Sequence, residues 1–270
     1  MFMDTATAPS LRDFDWLVVN SSAGKDSQAM LDVVAETAKA EGVLDRLVVV
    51  HADLGRVEWK GTRELAELQA HHYGVRFEVV RRRQNDLLDH VQARGRWPSP
   101  AQRYCTSDHK RGPVTTLFTR LTAETRQLTP SKPVKILNCM GLRAEESPAR
   151  AKQEPFQLDQ RASNGKRTVW RWLPIHDWTT EEVWARIRQG GLESHPAYGL
   201  GMPRLSCVFC IFAPKAALLL AGKHNPELLA EFVGLESRIN HRFKPDLALA
   251  DVQKDLQAGV EPGTVTTWAM

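Results

Sequence analysis

A chain of 270 residues is long enough to bury a sizeable core, as one large domain or one and a half. With 42% hydrophobic and 25% charged residues and a formal charge of +4, it has the make-up of a globular protein with a mildly basic surface. That charge suits a nucleotide or nucleic-acid partner, or simply a solvated face. No apolar run reaches the roughly 18–20 residues of a membrane span, and the opening "MFMDTATAPSLRDFDW" lacks the positive start and apolar core of a secretory signal. The expected location is the cytoplasm, where cysteines are metal ligands or reactive thiols more often than disulfides.

The first element in chain order is a buried strand over 16–20, followed by small and charged residues and a helix over 27–40 with apolar Met30, Leu31, Val33 and Val34. "DRLVVVHADLG" is a second strand ending at Asp53 and Gly55, and a helical pattern spans 61–73. "VRFEVVRR" and "VKILNCMGLR" are the third and fourth strands, the latter ending at Gly141 and Arg143. Strands alternating with helices predict an α/β fold, a Rossmann-like parallel sheet with helices on both faces. The three polar clusters, 22–27, 53–55 and 141–143, all fall at strand carboxyl ends, where such sheets bind ligands. The stretch 161–168, "RASNGKRT", reads as a mobile loop. From about residue 190 the pattern changes to a Gly-, Pro- and Cys-rich loop, then helical sequence over 215–242 and an irregular tail. The expected division is a nucleotide-binding domain over 1–189 and a C-terminal loop-and-helix extension over 190–270, packed on the same active-site face.

Ser22, Gly24, Lys25, Asp26 and Ser27 lie between the first strand and the first helix. Backbone N–H groups at a helix start, with glycine allowing close approach and a lysine nearby, favour a phosphate; a serine-rich helix cap is the plainer reading. The spacing fits neither the Walker loop nor the dinucleotide G-x-G-x-x-G.

"SAGKDS" resembles the S-G-G-K-D-S pyrophosphate loop of PP-loop ATP pyrophosphatases of the adenine-nucleotide α-hydrolase (HUP) type, with Ala23 in place of a glycine and so with restricted backbone angles. "DLGRVEWKGT" (53–62), "RYCTSDHKRGP" (103–113), "GLRAEESPAR" (141–150) and "WLPIHDWTTEEVWARI" (172–187) are similar, in order, to segments of the phosphoadenylyl-sulfate (PAPS) reductase family. The resemblance spans 17–210. It implies that Ser22, Gly24, Lys25, Asp26 and Ser27 hold the pyrophosphate end of ATP with Mg²⁺ and that Asp53 binds metal or nucleotide, a loop-capping carboxylate being equally expected. It also implies that Gly141 lets the nucleotide approach and that Arg143 pairs with a phosphate.

Of the four cysteines, Cys139 sits in an apolar run and is expected to be a buried hydrophobe. Cys207 and Cys210 form C-x-x-C, and Cys105 lies in a family motif. Together they are candidate ligands of a three-thiolate [4Fe-4S] cluster, or of Zn²⁺ with His109 or His195 as fourth ligand. Lys110 and Arg103 flank Cys105 and are expected to neutralise phosphate charge or lower its thiol pKa. The family's cluster-bearing reductases have a cysteine pair where this chain has Tyr104-Cys105. Family reductases also use a cysteine in a C-terminal E-C-G-x-H segment, and no cysteine follows Cys210.

The sequence is closer in style to the sulfur-transfer branch that includes the C subunit of DNA phosphorothioation systems. That resemblance implies an enzyme that adenylates an acceptor, releases pyrophosphate and inserts sulfur from a cluster or cysteine persulfide. Cys105, Lys110 and Asp26 are the catalytic candidates. The donor is expected to be a cysteine desulfurase, and the acceptor a nucleic acid or a small molecule. The alternatives are a PAPS or adenylyl-sulfate reductase using an external thiol, and a non-catalytic nucleotide- or nucleic-acid-binding protein with structural zinc. Trp172, Trp178 and Trp184 are expected in the core, and Glu146 with Arg150 as a helix-surface pair. Residues 81–83 and 161–167 could touch a polyanion, with a solvated basic face as the expected reading for both.

Overall fold

In a computed structural model of the chain, residues 8–129, 132–266 and 268 are described. Val- and Leu-rich runs buried on both faces make a parallel sheet, as such composition requires. β1 (Trp16–Ser21), β2 (Leu47–Ala52), β3 (Arg76–Val80), β4 (Val134–Cys139) and β6 (Arg167–Trp172) run parallel, and β5 (Phe156–Leu158) pairs antiparallel with β6 at the edge. The order is β3-β2-β1-β4-β6-β5. Successive strand residues face opposite sides. Leu17 and Val19 pack with Met30, Leu31 and Val34 of α1 (Lys25–Ala40), while Val18, Val48 and Val50 pack with Leu117, Phe118 and Leu121 of α5 (Gly112–Leu128). The fold is therefore α/β and Rossmann-like, with helices on both faces. Strand order reverses between β2-β1 and β4, and a crevice forms beyond the carboxyl ends at such a switch point.

The chain divides into two compact units. The first is Met1–Ala52, Arg63–Val80 and Val114–Ser194; the second is Asp53–Thr62, Arg81–Pro113 and His195–Met270. The sequence reading placed 53–62 and 81–113 with the nucleotide-binding domain. They fold with the C-terminal segment because Leu54, Val57, Trp59, Trp97 and Tyr104 enter its core. There Trp97 stacks on Phe232 at 5.3 Å, and Phe209 and Phe243 meet these rings edge-on. α3 (Leu87–Arg94), α8 (Lys215–His224), α9 (Pro226–Ile239) and α10 (Leu249–Gln257) surround that core. Buried Glu236 on α9 accepts N–H bonds from Phe243, Leu249 and Ala250, which tie the start of α10 to it.

In the first unit α2 (Thr62–His72, whose Thr62 belongs to the second unit) leads into β3, and α7 (Thr180–Gly190) joins α1 where Arg186 pairs with Asp32 and Glu36. Short α6 (Pro148–Ala151) precedes the β5-β6 hairpin. The stretch read as a mobile loop is that hairpin's turn: Asp159 Oδ1 accepts from the N–H groups of Arg161 and Ala162, and 167–168 already belong to β6. Trp172 is buried, and Trp178 and Trp184 pack partly buried against the same core. Glu146 and Arg150 do pair, but with side chains only 7% and 13% exposed they are no surface pair. Among the described residues no helix is long and apolar enough to cross a membrane.

Candidate functional site

β1 ends at Ser21, and the next residues turn sharply into α1. Ala23 N–H donates to Ser21 Oγ at 3.2 Å, Ser22 N–H donates to Ser27 Oγ at 3.2 Å, and Ser27 Oγ donates to the Gly24 carbonyl at 2.9 Å. His51 on β2 is buried and its Nδ1 lies 3.1 Å from the Ser21 carbonyl; because a carbonyl only accepts, Nδ1 carries the proton. Asn20 donates to Asn138 Oδ1 at 2.6 Å and to the Cys139 carbonyl at 2.9 Å, locking the ends of β1 and β4 together. Gly24 is the N-cap of α1, and no side chain caps this helix of 16 residues. The positive end of the helix dipole and its first amides are the groups from which an anion site can be built.

Ala23, fully buried, has φ 55, the left-handed region that favours glycine. Ala23→Gly loses a buried methyl worth about 0.8 kcal/mol and gains unfolded-chain freedom worth about 0.4–1 kcal/mol, against relief of about 1–2 kcal/mol of left-handed strain. The expected net change in stability is within about 1 kcal/mol. Ala23→Val adds β-branching in that conformation without room, and is expected to cost about 2 kcal/mol or more. Chemical denaturation of both variants checks the contrast.

Lys25 and Asp26 open the helix, and Arg143, just after β4, reaches them. Lys25 Nζ lies 2.8 Å from Asp26 Oδ2, and Arg143 Nε lies 2.7 Å from Asp26 Oδ1. Arg143 is 2% exposed; it also donates to Glu145, to the Trp178 carbonyl at 3.1 Å and to Thr180 Oγ1 at 3.2 Å. Burial works to raise the Asp26 pKa, but Lys25 and Arg143 outweigh it and hold the carboxyl below its ordinary value. The guanidinium expected on a phosphate is instead spent on fixing Asp26, and both Asp26 oxygens already hold a cation. A Cβ on Gly141 would stand 2.8 Å from the Asp26 carbonyl oxygen. The close approach that demands glycine there is that of the loop's own backbone.

Asp53 belongs to the second unit. Its Oδ1 accepts from Gly55 N–H at 2.7 Å and its Oδ2 lies 3.6 Å from Arg81, the geometry of a loop-capping carboxylate.

The second unit also holds Cys105, on the short α4 (Tyr104–Thr106), with Cys207 and Cys210. All three are free, half-buried and packed against its core, whereas Cys139 is fully buried on β4 and its thiol is pushed up by burial. Burial pushes the Cys105 thiol up, further than Lys110, Thr106 and Arg103 pull it down, and Cys210 adds to the rise. Burial likewise pushes Cys207 up to about 12, opposed by Lys110 and reinforced by Cys210 and Cys105. Of the two roles expected of the flanking cations, neutralising phosphate charge or lowering the thiol pKa, the second does not prevail, because desolvation outweighs them. The three thiols feel one another's charge, yet among the described residues no group of three or more His, Cys, Asp or Glu side chains is placed to hold a metal ion. Both candidate fourth zinc ligands are engaged. His109 Nε2 lies 2.9 Å from His90 Nδ1 within a π-helical turn (Ser107–Arg111), and burial presses the His109 pKa down to about 4. His195 Nδ1 accepts from Ala197 N–H and its Nε2 lies 3.1 Å from Thr62 Oγ1, whose own proton goes to the Trp59 carbonyl. As placed, the thiols do not close a zinc or cluster site.

Sequence reasoning missed His51, Asn20 and Asn138, which shape the phosphate loop. Polar side chains inside apolar strands were the available signal.

The chain is similar to several known proteins. A 37.8 kDa protein in the gpa 5′ region of Escherichia phage 186, itself uncharacterized, is 30% identical over 164 residues, covering 61% of this chain and 46% of its own length. The chain thus spans about half of that relative. Adenosine 5′-phosphosulfate reductase of Allochromatium vinosum is 28% identical over 203 residues, 74% of this chain and 69% of the relative. Among solved structures, PAPS reductase from Candida auris in its phosphate complex matches with a TM-score of 0.48 and 15% identity, covering 76% of this chain and 84% of that one. The U34-tRNA thiolase NcsA from Methanococcus maripaludis, with its [4Fe-4S] cluster, matches with a TM-score of 0.38 and 11% identity, covering 93% and 74%. The model of the phosphoadenosine phosphosulfate reductase domain matches residues 16–213, and on that extent the chain belongs to the phosphoadenosine phosphosulfate reductase domain family.

Proposed function

We propose that the chain is an ATP-dependent sulfur-transfer enzyme. The observation that carries this reading is the uncapped start of α1 behind a serine–glycine loop, with Lys25 buried beside it, in a chain that also gathers three free thiols in its second unit. Ser22, Gly24, Lys25 and Ser27 would bind the pyrophosphate end of ATP, with Asp26 positioning Lys25 and Mg²⁺ supplied on the nucleotide. An oxygen of the acceptor attacks the α-phosphorus, forming acceptor–O–AMP and releasing pyrophosphate.

Because the thiols do not close a metal site as placed, no step is routed through a cluster. Cys105 would instead carry the sulfur as a persulfide, supplied by a persulfide donor such as a cysteine desulfurase. The terminal sulfur displaces AMP, giving an acceptor–S–S–Cys105 bond. The thiolate of Cys207 or Cys210 then attacks the Cys105 sulfur, freeing the thiolated acceptor and leaving a protein disulfide for an external dithiol to reduce. Lys110 would stabilise the thiolate of Cys105 as it is persulfidated.

The experiment is pyrophosphate release from ATP, assayed beside sulfite release from adenylyl sulfate and PAPS. ATP turnover, lost in Lys25→Met but kept in Cys105→Ala while sulfur transfer disappears, is the expected result. Sulfite release with an added dithiol, and no pyrophosphate from ATP, would favour the second reading, a sulfonucleotide reductase, which rests on the similarity to the Allochromatium reductase. Iron and sulfide analysis after anaerobic purification tests the sulfur carrier. About four irons per chain, lost in Cys105→Ala, Cys207→Ala and Cys210→Ala but kept in Cys139→Ala, would replace the persulfide by a cluster. Stoichiometric zinc without ATP turnover would point to a binding role.

A further inference from the structure

The positive charge of the chain is not spread along it. Residues 81–113, a single segment of the second unit, hold seven arginines and one lysine against three carboxylates. That excess of five exceeds the +4 of the whole chain, so everything outside the segment is slightly acidic. The three carboxylates are already occupied. Asp86 caps α3 and, with Asp89, holds Arg56, while Asp108 accepts from Ser107 Oγ at 2.6 Å. The cations face solvent: Arg83, Arg94, Arg96, Arg103 and Lys110 are exposed, as is Arg81, which lies 3.6 Å from Asp53. Arg94 lies over the Tyr104 ring at 4.5 Å and Arg103 over Phe212 at 5.0 Å, contacts that orient a guanidinium without cancelling its charge.

Their spacing speaks against a single small anion. Arg81 and Arg83 precede α3, and Arg94 and Arg96 stand at its far end; eight helical residues separate the two groups by about 12 Å. One nucleotide's phosphates cannot neutralise both ends, whereas a nucleic-acid strand repeats its charge about every 3.4 Å of duplex axis. Arginine also outnumbers lysine seven to one, and its planar fork suits phosphate oxygens. An anionic membrane fits less well, since surface-bound segments add an apolar face and the exposed large hydrophobics (Leu68, Leu128, Leu158, Leu200 and Val260) all lie elsewhere. We propose that the 81–113 face is a docking surface for a nucleic-acid strand, held by its phosphate backbone. As a statement about the sulfur acceptor this rests on the transfer reading above; as a statement about binding it does not. The other basic stretch, 161–167, is a weaker candidate because Arg167 is buried and bonded to Ala162 and Thr119.

The test is fluorescence anisotropy with labelled single-stranded DNA, single-stranded RNA and duplex of about 30 nucleotides, titrated from about 50 to 200 mM salt. Arg83→Gln/Arg94→Gln/Arg96→Gln is compared with Lys152→Gln/Arg161→Gln/Lys166→Gln, three exposed cations of the first unit. The parent protein is expected to bind with an affinity that falls steeply with salt. The first triple variant should weaken binding about tenfold or more and lower the log–log salt slope by roughly 2–3, while the second changes neither. No binding at the lowest salt, equal losses in both variants, or binding only to anionic phospholipid vesicles would each overturn the proposal. ATP binding of the parent and both variants is measured in parallel. Its absence in the parent would count against the transfer reading alone, and its loss in the first triple would reassign these arginines to the nucleotide.

Discussion

Arg143→Met is expected to destabilise the protein by about 3 kcal/mol, the lower end of the cost of breaking a buried ion pair, because Lys25 stays beside Asp26. Methionine fills much of the volume but satisfies none of the acceptors. Asp26 Oδ1, the Trp178 carbonyl and Thr180 Oγ1 all lose a donor at once. Arg143→Lys is not a rescue, because one ammonium cannot reach partners that a planar fork engages in several directions. Glu145→Gln is the contrast: that carboxylate is half exposed, and its loss should cost less than about 1 kcal/mol. Urea denaturation of the three variants measures the ranking, and equal midpoints for Arg143→Met and Glu145→Gln would sink it.

The same trio gives stability a pH dependence of known sign. The folded-state pKa of Asp26 is depressed, because Lys25 and Arg143 together outweigh burial. The stability it contributes is therefore fully present above the unfolded value of about 3.9 and is lost as pH falls through the lower folded-state value. Removing the Arg143 charge leaves burial opposed by Lys25 alone, so the acid limb of the stability curve should move to higher pH in Arg143→Met. Denaturation midpoints from pH 3 to 7, compared with the parent, read that displacement; parallel curves would mean that Arg143 does not act through Asp26.

How much of this was legible in the sequence follows from which forces set each feature. β1, β2 and β4 are mostly apolar runs followed by polar clusters, a signal that survives without tertiary information. β6 was missed because "RTVWRW" places charged and half-buried residues in a strand near the sheet edge, where alternation is weak. The helix over 112–128 opens on Gly112-Pro113, a pair that reads as a turn, so its start carries no helical signal. The phosphate loop was readable as a motif, but the fate of Arg143 was not. A guanidinium next to a predicted anion site looks like a ligand contact until burial and four separate acceptors assign it to the protein. The thiols show the same limit. Spacing brought Cys207 and Cys210 together, whereas the desolvation that raises Cys105 and Cys207 depends on a core assembled from three distant segments.

Gly141→Ala is expected to weaken ATP binding by tens of fold while costing about 1–3 kcal/mol of stability, the range for forcing a methyl into a packed site. The glycine is not demanded by its own dihedral, since Gly141 does not have positive φ. It is demanded by contact: a Cβ would lie 2.8 Å from the Asp26 carbonyl oxygen, 3.0 Å from its carbon and 3.2 Å from Ser27 N. These are backbone atoms of the first turn of α1, which cannot rotate aside as a side chain would. To admit the methyl, either the turn after β4 or the start of α1 must shift. The second shift displaces the amides that face the anion, and the first pulls Arg143 away from Asp26. Gly190→Ala is the control, because its Cβ would meet only the Asp32 carboxylate at 3.7 Å, an ordinary contact, and the change falls at the end of α7, where alanine is the better helix former. Equilibrium dialysis with ATP, run beside thermal unfolding, separates the two readouts. If Gly141→Ala loses stability but binds ATP like the parent, the protein has absorbed the methyl in the turn after β4, and the geometry of the phosphate loop does not depend on that contact.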